Sequence, residues 1–253
     1  MSHRDRIVEQ FTRQAEPFSN APGIRDERAL TLLVEAAGAG GDDTVLDVAC
    51  GPGLVVCAFA RVAREVTGID VTPAMIERAR ALVGERGMTN VRFEVGDVLP
   101  LPYPGGAFSL VVSRFAFHHF LEPAAVLAEM RRVCVPGGRV VVADATPPTD
   151  KAAAFDHMEK LRDPSHVRAL PLAELRALFA AAGLREPRET FYRLEAELEG
   201  LLSRSFPDPG DVAELRRIFV DAVADDALGM DVRRVDDQIR LSYPVSVLVA
   251  DRS

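Results

Sequence analysis

From residue 44 to residue 145 the chain alternates short apolar runs with amphipathic stretches of helical length, and no other feature limits its fold as much. The runs are Thr44–Ala49, Val66–Asp70, Val91–Val95, Ser109–Arg114 and Gly138–Ala145, with helical patterns near 54–64, 73–86 and 123–134. Continuously apolar strands belong to a sheet covered on both faces, and regular strand–helix alternation makes that sheet parallel. Right-handed crossovers then distribute the helices over its two faces. Before this core, Ile7, Phe11 and Ala15 make one helical stripe and Leu30, Leu33, Val34 and Ala37 another, separated by the turn-forming PFSNAPGIRDE. After it the rhythm loosens. Pro147-Pro148 opens a helix-plus-loop stretch to 170, and a helix at Leu172–Ala182 is stopped by Gly183. Two strand-like stretches, Arg188–Ala196 and Ile239–Ala250, flank a helical segment over 197–238 and predict an antiparallel hairpin at a sheet edge, with the insertion as a cap.

Charge narrows the partners. Thirty Lys and Arg stand against 38 Asp and Glu, a net charge of −8, whereas nucleic acid and membrane surfaces are bound through clustered positive charge. Neither is expected as a partner. No run of apolar residues is long enough to cross a bilayer, and residues 1–20 lack the apolar stretch of a signal peptide. Cys50, Cys57 and Cys134 form no CxxC pair and suit a reducing compartment, so a cytoplasmic location is expected.

The segment VLDVACGPG, residues 45–53, carries the chemistry. An apolar strand ends in Asp47, and a turn with Gly51 and Gly53 leads into the next helix. In open parallel sheets ligands lie beyond the carboxyl ends of the strands, and glycine lets a ligand approach the backbone. A dinucleotide fingerprint needs a third glycine where Val56 stands, and the loop has no Lys or Arg for a pyrophosphate. Acidic residues recur instead: Asp70 ends the second strand 23 residues after Asp47, placed to accept ribose hydroxyls, and Asp97 follows the third, placed to meet the amine of an adenine. Such a rim favours a cationic nucleoside. The bland alternative for each aspartate is a helix cap or turn.

LDVACGPG, GIDVTPAMIERAR, GDVLPLPYPGGAFSLVVSRFAFHHF and RVCVPGGRVVVAD, taken in this order, resemble the successive motifs of class I S-adenosylmethionine-dependent methyltransferases. The likeness is nearest to the ubiquinone/menaquinone-biosynthesis C-methyltransferase-like (methyltransferase type 11) group and covers residues 40–185. It implies a Rossmann-like α/β fold with a seven-stranded, mostly parallel sheet, an antiparallel last strand, helices on both faces and a helical cap. The chain would then be a single domain over 1–253, with lid helices at 1–40, a cofactor-binding core at 41–185 and the edge hairpin at 186–253. It implies S-adenosyl-L-methionine as cofactor, with S-adenosyl-L-homocysteine as product. The loop from Asp47 through Ala49, Cys50 and Gly51 to Gly53 would pass around its methionine part. Asp70 and Val71 would hold the ribose, Met75 would lie against the adenine, and Gly96, Asp97 and Val98 would read its edge. Arg114, Phe115 and His119 would face cofactor and substrate, and FTRQAEPFSNA, with Phe18, resembles the group's lid segment.

Methyl transfer from a sulfonium needs alignment, exclusion of water and, for an acceptor that sheds a proton, a base. The candidates are His119, just past the fourth strand, and His157 and His166 in the stretch that follows the fifth; each also has a structural or surface reading, and adjacent His118 is expected to face elsewhere and be structural. Cys50 reads as packing rather than a nucleophile. Asp144 ends the fifth strand without companion ligands, so no metal is expected. Phe11, Phe18, Phe115 and Phe117 suit an apolar pocket or the core. The expected activity is methylation of a small molecule, on O, N or C and of secondary-metabolite or quinone-like type, by a monomer or homodimer. A methyltransferase-like fold using the same cofactor without methyl transfer is the alternative, and a nicotinamide-dependent oxidoreductase a weaker one.

Overall fold

The computed structural model describes residues 1–19, 21 and 23–253, without the side chains of Phe18 and Ser19. Five strands run parallel in the order they are needed for a doubly wound sheet: β1 (Thr44–Val48), β2 (Glu65–Asp70), β3 (Val91–Val95), β4 (Phe108–Arg114) and β5 (Cys134–Ala145). With β6 (Arg188–Glu197) and β8 (Gln238–Asp251) the sheet order is β3-β2-β1-β4-β5-β8-β6, and β8 is antiparallel to both its neighbours. A short eighth strand, β7 (Arg233–Val235), pairs with the start of β8. It lies within the segment expected to be helical, because Asp236-Asp237 makes a tight turn there, with Asp236 at φ 53.

The sheet's two faces can be read residue by residue. Val45, Leu110, Val112, Val141, Ala143, Val247 and Val249 pack on one side against α2 (Glu27–Ala37), α3 (Leu54–Ala60) and α4 (Pro73–Glu85). Their neighbours Leu46, Val111, Val140, Val142, Leu248 and Ala250 pack on the other against α5 (Pro123–Val133) and α7 (Leu172–Ala181). This is the period of two of a strand sandwiched between helices. Local chemistry sets the helix ends. The Asp26 carboxylate accepts from the Arg28 amide at the start of α2, Gly38 ends that helix at φ 60, and Pro73 and Pro123 open α4 and α5.

A third apolar cluster lies beyond the ends of β5 and β8. Phe155 and Met158 of α6 (Ala152–Arg162), Leu198 and Leu202 of α8 (Leu198–Leu202), and Leu215 and Phe219 of α9 (Asp211–Ala222) pack there with Leu241 and Tyr243. The first helix, α1 (His3–Ser19), leaves this architecture and packs on α4, across the carboxyl ends of the strands. Among the described residues no helix is long and apolar enough to cross a membrane.

Candidate active site

Strand order reverses direction between β1 and β4, and their following segments diverge to opposite faces of the sheet. That divergence opens the crevice where doubly wound sheets bind ligands. Here it is a cavity of about 280 Å3 beneath α1, lined by the loop after β1, the ends of β2 and β3, and the turn after β4.

The β1 loop owes its shape to three successive left-handed positions, Ala49 at φ 58, Gly51 at φ 51 and Gly53 at φ 84. The two glycines act differently. A Cβ on Gly53 would stand 2.8 Å from the Ala79 Cβ, so this glycine lets α3 and α4 meet, whereas a Cβ on Gly51 would meet no protein atom. Space is therefore kept at Gly51 for something other than the protein. Behind the loop, Asp47 is 1% exposed, and its Oδ2 has no hydrogen-bond partner among the described residues. Burial first, then the nearby Asp70 charge, push its pKa well up, against a weaker pull from Arg114. An unpartnered buried carboxylate beside an open glycine suits a ligand's ammonium group.

Asp70 Oδ2 accepts from the Gly51 amide at 2.9 Å and Oδ1 from the Thr72 amide at 2.8 Å. It therefore ties the loop to the start of α4 while still lining the cavity, so the capping reading and the ligand reading both describe it. Met75 and Val71 stand beside it, and Asp97 and Val98 border the far end. Asp97 caps its own turn through the Leu99 amide and pairs with Arg4 of α1 at 3.4 Å. Ala49, Cys50, Gly51, Asp70, Val71, Met75, Asp97, Val98, Arg114, Phe115 and His119 thus come together around one cavity. Asp47, Gly53 and Gly96 do not line it; Asp47 lies behind the loop that does. Gly96 donates to the Asp70 carbonyl and is hemmed by Ile69. The side chain of Phe18 is outside the described residues. Cys50 is buried, with its thiol pushed well up by desolvation and by Asp47 and Asp70, which keeps it protonated.

A second cavity adjoins the first, sharing Phe11, Ile24, Phe115 and His119 as lining. Phe155, Leu194, Ala196 and Leu201 make its apolar wall. Its polar groups are bonded among themselves: Tyr243 donates to Glu159 at 2.8 Å, Arg162 pairs with Glu159, and Arg162 donates to Ser205 at 3.2 Å. Helix α1 roofs both cavities. Its His3 ring donates to the His119 carbonyl at 2.8 Å, Gln10 to the Ser205 carbonyl at 2.7 Å and Gln14 to Asp163 at 3.3 Å. Of these polar anchors only Gln14 lies in the lid-like segment FTRQAEPFSNA; no motif marked His3 or Gln10.

The histidines differ from expectation. His119 sits in a single 3-10 turn, Phe117–His119, at the junction of the cavities, with its Nδ1 on the Ser165 carbonyl at 3.1 Å. Burial and the adjacent His118 charge press its pKa down to about 3, so it is a neutral, weak base. His157 is not in the site. It lies on the outer face of α6 with 63% of its side chain exposed, near Glu214. His118, read from sequence as structural, lines the second cavity and donates Nδ1–H to Asp144 at 2.6 Å. Burial opposes its charged form, but Asp144 outweighs that and raises its pKa. Asp144 also accepts from the Phe117 and Ala145 amides, at 2.8 and 2.7 Å. Among the described residues no cluster of His, Cys, Asp and Glu could hold a metal ion. Phe117 is core.

The chain is similar to known proteins in sequence and in fold. A family model described as a methyltransferase domain matches residues 46–142. The uncharacterized methyltransferase YcgJ of Bacillus subtilis is 36% identical over 174 residues, covering 65% of this chain and 69% of YcgJ. Its crystal structure aligns with a TM-score of 0.81 at 27% identity, over 89% of this chain and 99% of that one. A demethylmenaquinone methyltransferase of Thermus thermophilus is 34% identical over 178 residues, 62% of this chain and 79% of its own. A geranyl diphosphate C-methyltransferase of Streptomyces coelicolor, solved with Mg2+, geranyl diphosphate and S-adenosyl-L-homocysteine, shares the fold at a TM-score of 0.62 and 18% identity, over 90% and 78% of the two chains.

Proposed function

Since the chain belongs to this methyltransferase family, we propose that it binds S-adenosyl-L-methionine in the first cavity and transfers its methyl group to a small, largely apolar acceptor in the second. One observation carries the reading: a cavity bordered by the open Gly51 loop, Asp70 and Asp97, with the unpartnered carboxylate of Asp47 buried behind that loop, adjoins a second cavity with an apolar wall. The bound donor supplies a methyl group already activated by a sulfonium.

The chain's own residues supply the rest. Asp47 would take the ammonium of the methionine part, Gly51 would let that part approach the backbone, and Asp70 would use its remaining lone pairs on the ribose hydroxyls. Met75 and Val98 would flank the adenine. Phe115 stands at the junction with its own φ at 56, and Arg114 lies over its ring at 4.3 Å, holding the two cavities in line. Helix α1 excludes water, and such alignment in a dry site is worth roughly 7–11 kcal/mol of barrier. The buried, unpaired thiols of Cys50, Cys57 and Cys134 fit work in a reducing compartment such as the cytoplasm.

The test has two arms. In a thermal-shift assay S-adenosyl-L-homocysteine is expected to raise the melting temperature and NAD to leave it unchanged. Incubation with labelled donor and a panel of phenols, amines and quinols should yield S-adenosyl-L-homocysteine in proportion to methylated product. Binding without turnover on any acceptor would point instead to the fold used without methyl transfer, and stabilisation by NAD would overturn the reading.

A further inference from the structure

The second cavity holds a histidine that the fold has built with more care than a filler needs. His118 Nδ1 is 2.6 Å from Asp144 Oδ1, and Asp144 is fixed by two backbone amides. This locks the ring's orientation and puts its proton on Nδ1, leaving the Nε2 lone pair free. Among the described residues Nε2 has no hydrogen-bond partner, and the ring is still 15% exposed, toward the cavity. His119, one ring away at 4.2 Å, marks the border with the first cavity. The ring therefore stands one side chain from where acceptor and methyl donor would meet.

Resting on the function proposed above, we infer that His118, oriented by Asp144, is the general base for an acceptor with an aromatic hydroxyl, and that the methyl group goes to that oxygen. His118 Nε2 takes the hydroxyl proton as the oxygen–carbon bond forms. The carbon–sulfur bond of the donor breaks, its electron pair stays on sulfur, and His118 then releases the proton to solvent. The cavity fits such an acceptor. Phe11, Phe155 and Leu194 offer faces to an aromatic ring, and of the ionic groups in the lining Glu159 pairs with Arg162, Glu195 with Arg233, and Asp163 accepts from Gln14 and Ser165.

Other titratable groups face the dyad from every side. Asp144 ends β5, Glu159 and Asp163 come from α6 and its end, His119 shares the turn, and His166 stacks on His118 at 5.5 Å with its Nε2 on Asp156. The acidic neighbours favour the imidazolium that forms on proton transfer. Burial opposes it. The balance lies above the ordinary histidine value, so the dyad becomes a competent base only as pH rises beyond that value.

4-Nitrophenol and 2-naphthol serve as probes, with the full chain. Loaded with S-adenosyl-L-homocysteine, the wild type should bind 4-nitrophenol as the phenolate below its solution pKa, seen as the band near 400 nm. His118→Asn should lose that band while homocysteine-product affinity by calorimetry stays within twofold. With S-adenosyl-L-methionine and 2-naphthol, the rising limb of kcat against pH should vanish in His118→Asn, with a loss of roughly 10²–10⁴-fold. Asp144→Asn should keep the limb but move it to lower pH. Wild type that binds S-adenosyl-L-homocysteine without ionising 4-nitrophenol overturns this inference alone, as does an unchanged pH limb in His118→Asn or a product methylated on carbon. Failure to bind S-adenosyl-L-homocysteine overturns the functional reading itself. If His118→Asn does not fold, His118→Gln and the Asp144→Asn limb decide.

Discussion

Replacing Asp47 by asparagine should stabilise the ligand-free protein and weaken its ligand, two effects of opposite sign from one atom. The Asp47 carboxylate is buried, has one oxygen without a hydrogen bond and faces Asp70. Its proton is therefore held more tightly in the folded chain than in the unfolded one. Once pH rises above the ordinary carboxyl range, the unfolded chain ionises freely while the folded chain resists. Folding stability then falls by about 1.4 kcal/mol for each tenfold difference in proton affinity, until pH passes the raised pKa. Asparagine removes this penalty. A gain of at least about 1 kcal/mol, roughly 2–4 °C in melting temperature for a chain of this length, is expected at pH 7.5. The gain should shrink as pH falls through the ordinary carboxyl value of 3.8, well below which the wild-type carboxyl is protonated in both states. The same change deletes the partner of the ligand's ammonium. A hydrogen bond to a charged group is worth about 1.5–3 kcal/mol, so the dissociation constant for S-adenosyl-L-homocysteine should rise roughly 10- to 150-fold. Scanning calorimetry across pH and titration calorimetry read the two effects separately. A variant that melts lower than wild type, or binds S-adenosyl-L-homocysteine within twofold of it, would refute the assignment of Asp47 to the ammonium.

The two loop glycines should separate fold from ligand. Gly53→Ala puts a methyl against Ala79 at a left-handed position and should cost roughly 2–5 kcal/mol of stability by thermal melting. Gly51→Ala carries only the left-handed cost, about 1–2 kcal/mol, but fills the open side of the loop and should weaken S-adenosyl-L-homocysteine at least tenfold by calorimetry. In an NMR pH titration the His119 ring, with its pKa near 3, should stay neutral from pH 5 upward, while the His118 ring should lose its charge only above the ordinary histidine value. His157→Ala removes an exposed side chain and should change neither ligand affinity nor stability by more than about 0.5 kcal/mol.

The parallel core was legible because its strands are buried on both faces. The central ones read as apolar runs, the edge strand β3 alternates apolar and charged residues instead, and the runs found at 44–49, 66–70, 91–95 and 109–114 correspond to β1 to β4 within a residue or so. The aspartates at strand tips were legible for a related reason: a charged residue closing an apolar run is costly unless it does something there. The β7 strand was not, since its three residues, Arg-Arg-Val, are too few to show a period. His157 misled because sequence places it in the right stretch but not on a face. It follows Phe155 by two and precedes Met158 by one, and α6 buries Phe155, Met158 and Glu159, so His157 points outward.

His118 and His119 show where sequence pattern stops. Two adjacent histidines in a strand would face opposite sides, and in a long helix they would stand 100° apart. A single 3-10 turn obeys neither period, and here both rings reach ligand-sized cavities. What separates them is the acceptor each finds for Nδ1. Ser165 offers His119 a neutral carbonyl, in surroundings that disfavour charge, whereas Asp144 offers His118 a carboxylate. That carboxylate comes from β5, the strand beside β4, and its register sets Arg114 opposite Ala143, so Asp144 lies one residue past the last paired position of β4. The difference between a weak base and a competent one is therefore made by sheet register, a long-range quantity that no local window of sequence contains.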